Sequence, residues 1–193
     1  MIALSFSGGK DSSLALYQLQ QSGKKVSCLF TTVWKENDRT IAHEESTATI
    51  QAQAKRLNIP IHFIYTTFET YGEDFVRTLI ELKKQYNLTS VAFGDWYLEE
   101  HRTWGEEQAA KAQLEPLYPL WAIKDAMVEK LYYFIELGFK AQVIKIDEQK
   151  LPEDWVGRMI DKQFIDDIVA YEDVCPMGEH GEYHTTVVDG PIY

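Results

Sequence analysis

The sequence predicts an α/β protein: a parallel sheet with helices on both faces, followed by a small carboxy-terminal α+β lobe. Three observations lead there. Apolar runs of strand length alternate with stretches of helical periodicity up to about residue 120. A glycine pair, Gly8-Gly9, sits at the first strand–helix junction. After Trp121 the alternation changes character.

Ile2-Ala3-Leu4-Ser5-Phe6 reads as a buried first strand and Leu14 to Leu19 as the helix after it. Lys25 to Val33 is the second strand. A polar loop from Trp34 to Ala42 leads to a helix from Glu44 to Leu57, which Asn58 ends, with Pro60 just beyond. Ile61 to Thr66 is the third strand. Phe75 to Leu82 carries apolar residues at helical spacing. Ser90-Val91-Ala92-Phe93 is the fourth strand, and a polar helix follows from Leu98 to Gln113. Pro116 to Pro119 is a short fifth strand or a turn. Beyond it, Met127 to Leu137 is an apolar helix stopped by Gly138, and Phe139 to Ile146 alternates like a strand. Leu151 to Ile168 reads as mostly helical after Pro152. The tail has a glycine-punctuated carboxylate pair and then a β-branched run.

The chain has 193 residues, 45% of them hydrophobic, enough for one substantial core or a main domain with a small appendage. Its formal net charge of −11 argues against general nucleic-acid binding, because phosphates would be repelled. Cys28 and Cys175 form no Cys-x-x-Cys pair, so neither a zinc ribbon nor a redox motif is expected. No basic, apolar, cleavable leader and no run long enough for a bilayer are visible. The expected location is cytoplasmic, with no membrane partner.

Ser7-Gly8-Gly9-Lys10-Asp11-Ser12 carries the chemistry. The glycines permit a sharp turn that points successive N–H groups into one concavity. The following helix adds unpaired N–H groups and a positive dipole end. Lys10 suits phosphate, Asp11 suits Mg²⁺, and Ser12 either caps the helix or binds a phosphate oxygen. The spacing is not that of the Walker loop, whose glycines are separated. In parallel sheets ligands bind beyond the carboxyl ends of the strands. His43, Gly94, Asp95, Glu99 and Arg102 fall on that same rim, and Thr32 near the end of the second strand joins them as a nucleotide-binding candidate. Each also has an ordinary role: His43 as a helix cap, Asp95 as a turn residue, Arg102 as the partner of Glu99 or Glu106. In the tail, Glu179 and Glu182 flank Gly181, with His180 and His184 nearby. A polar pocket whose carboxylates bind a cation or act as bases fits them better than a transition-metal site.

The Ser-Gly-Gly-Lys-Asp-Ser loop resembles the pyrophosphate loop of the ATP pyrophosphatases. Together with Phe93-Gly94-Asp95, Tyr118-Pro119-Leu120-Trp121, Gly178-Glu-His-Gly-Glu-Tyr-His-Thr185 and Asp189-Gly-Pro-Ile-Tyr193, it resembles the diphthine–ammonia ligase (diphthamide synthetase) family over nearly the whole chain. His43 and the stretch from Gly94 to Arg102 are similar to a compact bacterial-type branch. The resemblance implies a Rossmann-like, adenine nucleotide alpha hydrolase-like fold, with residues 1–120 binding ATP and 121–193 forming a substrate lobe. It implies a ligase that adenylates a carboxylate, releases pyrophosphate and transfers the acyl group to ammonia, with Mg²⁺ as cofactor. The acceptor in founding members belongs to a modified translation elongation factor. On this reading Lys10, Asp11, Glu179, Glu182 and His184 are catalytic, and Ser7 to Ser12, Thr32, His43, Gly94, Asp95 and Arg102 bind the nucleotide. A homodimer is compatible with it. The alternatives are a tRNA-modifying enzyme with the same loop and a non-catalytic nucleotide sensor.

Overall fold

A computed structural model describes residues 1–193. Five strands, β1 (Ile2–Ser5), β2 (Val26–Trp34), β3 (Ile61–Thr66), β4 (Ser90–Ala92) and β5 (Glu115–Leu117), form an all-parallel sheet of order β3-β2-β1-β4-β5. Helices α1 (Lys10–Gln21), α2 (Thr47–Leu57), α3 (Tyr71–Tyr86) and α4 (Glu99–Lys111) make the crossovers. The expected architecture is therefore present.

Side chains alternate across each strand, and the core divides accordingly. Ile2, Leu4, Leu29 and Ala92 face α1, α2 and the carboxy-terminal elements. Ala3, Cys28, Phe30, Ile64 and Val91 face α3 and α4. Burial on both faces explains why these strands read as continuous apolar runs. β5 tolerates Pro116 because it is an edge strand, paired only with β4.

After β5 the chain continues through a 3-10 turn (Lys124–Ala126), α5 (Met127–Glu136), β6 (Lys140–Ile146), a second 3-10 turn (Glu153–Trp155), α6 (Lys162–Ile168) and β7 (Tyr183–Asp189). β6 and β7 pair antiparallel. The first hydrophobic cluster runs without a break from Leu4 and Leu16 to Phe134, Phe164 and Tyr183, so these elements share one core with the sheet.

Two expectations need correction. The second helix starts at Thr47, not Glu44. Glu44 sits at φ 53°, and Ser46 caps the helix by accepting the Thr49 N–H. The stretch from Leu151 to Ile168 is not one helix: the 3-10 turn Glu153–Trp155 and α6 are separated by residues 156–161. Gly157, at φ 91°, turns the chain alongside β6, where Val143 N–H donates to Arg158 O and Ile160 N–H to Ala141 O. Pairing with a strand edge takes the backbone groups that a helix would have used. Asp161 then caps the short α6 through Phe164 N–H.

Candidate functional site

The chain leaves β1 toward β2 and β3 in one direction, then returns to β4 and β5 on the other side. The carboxyl ends of β1 and β4 therefore border the crevice where such sheets bind ligands. The loop Ser7–Ser12 follows β1, and Gly94-Asp95 follows β4.

Glycine leaves room for close backbone approach on both sides of that crevice. Gly8 has φ +77°, and a Cβ on it would fall 2.2 Å from Gln53 Oε1. A Cβ on Gly94 would lie 3.3 Å from backbone atoms of Asp11 and Ser12, so the β4 loop runs directly against the first turn of α1. The backbone N–H groups of Gly8, Asp11 and Ser12 have no partner within the protein. With the positive end of α1 they make a surface suited to an anion. The Ser7 and Ser12 hydroxyls lie 3.3 Å apart beside them.

Lys10 is 3% exposed despite its charge. Its ammonium donates to Asp11 Oδ2 (2.9 Å) and the Met177 carbonyl, and lies 4.9 Å from the Tyr183 ring centroid. Its backbone N–H donates to Thr185 Oγ1 (3.1 Å). The Trp96 indole N–H donates to Asp11 Oδ1 (2.8 Å). Asp11 is thus held from two sides but stays partly exposed. A single fixed carboxylate beside unpaired N–H groups fits Mg²⁺, which takes one or two carboxylates and shares phosphate oxygens. No group of three or more His, Cys, Asp and Glu forms a metal cluster, so any such ion would need ligands from a bound molecule.

These groups open onto a cleft of about 850 Å³, the size of a small-molecule site. Its lining joins Ser7, Lys10, Asp11, Ser12, His43, Gly94 and Asp95 to Glu179, His180, Tyr183 and His184 from the tail. Glu99 and Glu100 also line it, and His101 bonds Asp95 (3.1 Å), which raises the His101 pKa. The Glu179 carboxyl is pushed up to about 8, first by burial and then by the nearby charges of Asp11 and Asp95, with Lys10 opposing.

On the opposite wall the His43 and His184 rings lie 4.9 Å apart. His43 Nδ1 is 3.1 Å from the Thr185 carbonyl. Burial, the neighbouring histidine and Lys10 drive His43 down to about 3, and burial and Lys10 drive His184 down to about 4, so both are neutral at pH 7.

Five expected site residues, Gly8, Gly9, Thr32, Arg102 and Glu182, lie outside the cleft lining, the two glycines because they form the turn beneath it. Thr32 faces the Tyr71 hydroxyl. Arg102 Nε donates to Glu106 Oε1 (2.8 Å), with the guanidinium over Trp121 and Tyr118. Glu182 is fully buried behind the tail loop, where it accepts the N–H groups of Cys175 and His180 at 2.9 Å each. Glu179 and Glu182 therefore do not act side by side. Sequence reasoning missed Trp96, Thr185, Gln53 and the Met177 carbonyl. Trp96 directly follows Gly94-Asp95, which was a usable signal; the other three contribute through long-range contacts that leave no local pattern.

A parallel sheet with this loop at its switch point defines a PP-loop protein, the class whose members use ATP. Residues 1–115 match the diphthamide synthase N-terminal domain and residues 127–193 the diphthamide synthase C-terminal domain. The chain belongs to the diphthamide synthase family. It is also similar to tRNA-specific 2-thiouridylases MnmA. The protein from Vibrio cholerae is 36% identical over 84 residues, 42% of this chain and 23% of that protein. The one from Psychromonas ingrahamii is 34% identical over 84 residues, with the same shares, and the one from Clostridium botulinum 27% over 81 residues, 42% and 22%. The chain thus matches under a quarter of the length of these relatives. No helix is long and apolar enough to cross a membrane.

Proposed function

We propose that the protein is a diphthine–ammonia ligase-like, AMP-forming carboxylate–ammonia ligase, with residues 1–120 holding ATP and 121–193 presenting the acceptor. The observation that carries this reading is the single cleft joining the Ser7–Ser12 loop to Glu179. In the first step an acceptor carboxylate oxygen attacks the α-phosphorus and pyrophosphate leaves. Lys10 and the free N–H groups of the loop stabilise charge on the departing phosphates. Asp11 would hold Mg²⁺, which neutralises phosphate charge when bound. In the second step the ammonia nitrogen forms a bond to the acyl carbon, AMP leaves, and one ammonia proton must be removed.

On this reading Glu179, which lines the cleft, removes it. A carboxylate whose conjugate acid titrates at about 8 is a far better base than an ordinary one near neutral pH. His184 borders the same cleft as a second base candidate. Glu182, turned away, holds the tail loop that carries Glu179. The acceptor is a carboxylate on a macromolecule or metabolite, with modified elongation factor the family's precedent.

A tRNA-thiolating reading finds no support in the thiols. Cys28 lies in the sheet core with its pKa pushed up to about 12 by burial, and Cys175 is buried beneath the Tyr97 hydroxyl. The test is incubation with ATP, Mg²⁺, ammonium and diphthine-bearing elongation factor. Equal amounts of AMP and amide, dependent on both ammonium and acceptor, are expected. ATP binding without turnover would support a sensor, and AMP release unaffected by ammonium would defeat the ligase reading.

A further inference from the structure

The His43–His184 pair has no task in the scheme above that needs two histidines. His43 Nδ1 faces the Thr185 carbonyl, which can only accept, so the hydrogen of the neutral ring must sit on Nδ1. Nε2 then carries a lone pair and has no partner within the protein. The ring is fixed in place: its Cε1 lies where a Cβ on Gly9 would be, at 2.3 Å. The ring that carries this lone pair is therefore held against the glycine loop, and His43 lines the cleft that receives phosphate on the reading above. In that state His43 would repel the phosphate oxygens it adjoins.

We propose that His43 is a proton-gated phosphate ligand: a polyphosphate entering the Ser7–Ser12 loop draws one proton from solvent onto His43 Nε2, which then donates to the anion. This rests on the nucleotide reading of the loop. The groups around the ring explain why the proton is absent beforehand. His184 and the Thr185 carbonyl face it from β7, and Lys10 faces it from the start of α1. On its own turn the adjacent Glu44 is engaged by Lys145 of β6, and Asp11 is engaged by the Lys10 ammonium. The empty site thus has a cation, a second ring and a desolvated position, all of which disfavour charge. An anion reverses that balance. The pair takes one proton and not two, because imidazolium rings 4.9 Å apart beside Lys10 repel each other.

The sign follows from linkage. A group that gains a proton on binding makes binding tighter as pH falls. Between the pKa of the free ring, about 3, and that of the bound ring, affinity falls as pH rises. The slope is about tenfold per pH unit for one proton.

The test is calorimetric titration of the intact chain with α,β-methylene-ATP and Mg²⁺ at pH 7 in buffers of different ionisation enthalpy. The analogue cannot be cleaved at the reacting bond. AMP, which lacks the outer phosphates, serves as reference. Relative to AMP, additional proton uptake is expected for the wild type after subtracting the analogue's own titration, rising toward one proton when the titration is repeated at lower pH. His43→Gln should take up none and lose the pH slope of its affinity. His184→Gln, which leaves the Thr185 carbonyl contact in place, should still take up a proton. Analogue binding with no uptake beyond that of AMP would overturn the proposal and leave the nucleotide reading standing. Uptake that persists in His43→Gln would also overturn it. Failure of the analogue to bind at all would overturn both.

Discussion

Glu179→Gln separates the chemistry of the site from its stability. In the folded chain the Glu179 carboxyl titrates at about 8, against an ordinary value of 4.5. Its folded pKa is raised, so the folded state keeps a proton that the unfolded state loses. Stability from this group is full below 4.5 and is lost as pH rises through 8. Between pH 5.5 and 8 the loss amounts to about 3 kcal/mol, at 1.36 kcal/mol per pH unit. Glutamine keeps the shape without the ionisation, so the variant should not lose it. Urea unfolding at the two pH values, without ligand, measures the difference. The wild type should fall relative to the variant by about 3 kcal/mol, while the variant makes amide about 10²-fold more slowly and retains ATP–pyrophosphate exchange. Stability curves that run parallel across this range would refute the claim that burial among Asp11 and Asp95 perturbs Glu179. Undiminished amide formation would remove it as the base.

Lys10→Ala should lower ATP–pyrophosphate exchange by about 10²-fold, because the charge that meets the departing phosphates is gone; steady-state exchange kinetics check this. Gly94→Ala places a methyl group 3.3 Å from the α1 backbone, so thermal melting should show a loss of about 1 kcal/mol together with weaker nucleotide binding. Glu182→Gln leaves one of the two backbone donors, Cys175 or Cys175's counterpart His180, facing an amide NH₂; about 2 kcal/mol of stability should be lost, and exchange and amide formation should fall together. Loss of amide with exchange intact would instead restore an amine-handling role to Glu182.

Much of the fold was legible because its signals are local. Ile2–Ser5 is apolar, the glycine pair follows at once, and Leu14, Ala15 and Leu16 bury the helix that comes next. Asn58 ends α2 in the left-handed conformation that asparagine tolerates. The misreadings arise where distant partners decide. From Val156 to Ile160 the backbone bonds to β6, and nothing in that stretch announces it. The acid pair was legible as two carboxylates of one pocket, but not as one in the cleft and one buried behind it. Gly178 and Gly181, at φ +71° and +79°, reverse the chain so that Glu179 enters the cleft while Glu182 folds back beneath Cys175. Arg102 resolves into the surface pair with Glu106, and the terminal Asp189-Gly190-Pro191 turn resolves into packing, with Gly190 so close to Phe139 that a Cβ would lie 2.4 Å from the ring.

The phosphate loop is not a self-contained motif in this chain. Its Gly8 carbonyl accepts both the Val187 N–H (2.9 Å) and the Gln53 side-chain amide (3.1 Å). Its Lys10 is fixed at the backbone by Thr185 and at the ammonium by Met177. The strand that follows Glu179 therefore sets the loop that would hold phosphate on the reading proposed above. An isolated loop of this composition would keep its glycines mobile and lose entropy on meeting an anion. Clamped by β7, it has already lost that freedom, and the same strand carries His184 and the Thr185 carbonyl that fixes His43. Displacement of β7 by an acceptor would be felt at once in the geometry of the phosphates. On the ligase reading proposed above, the two half-reactions would share the frame that β7 makes with the loop, because the same strand bonds Gly8 and Lys10 and carries His184.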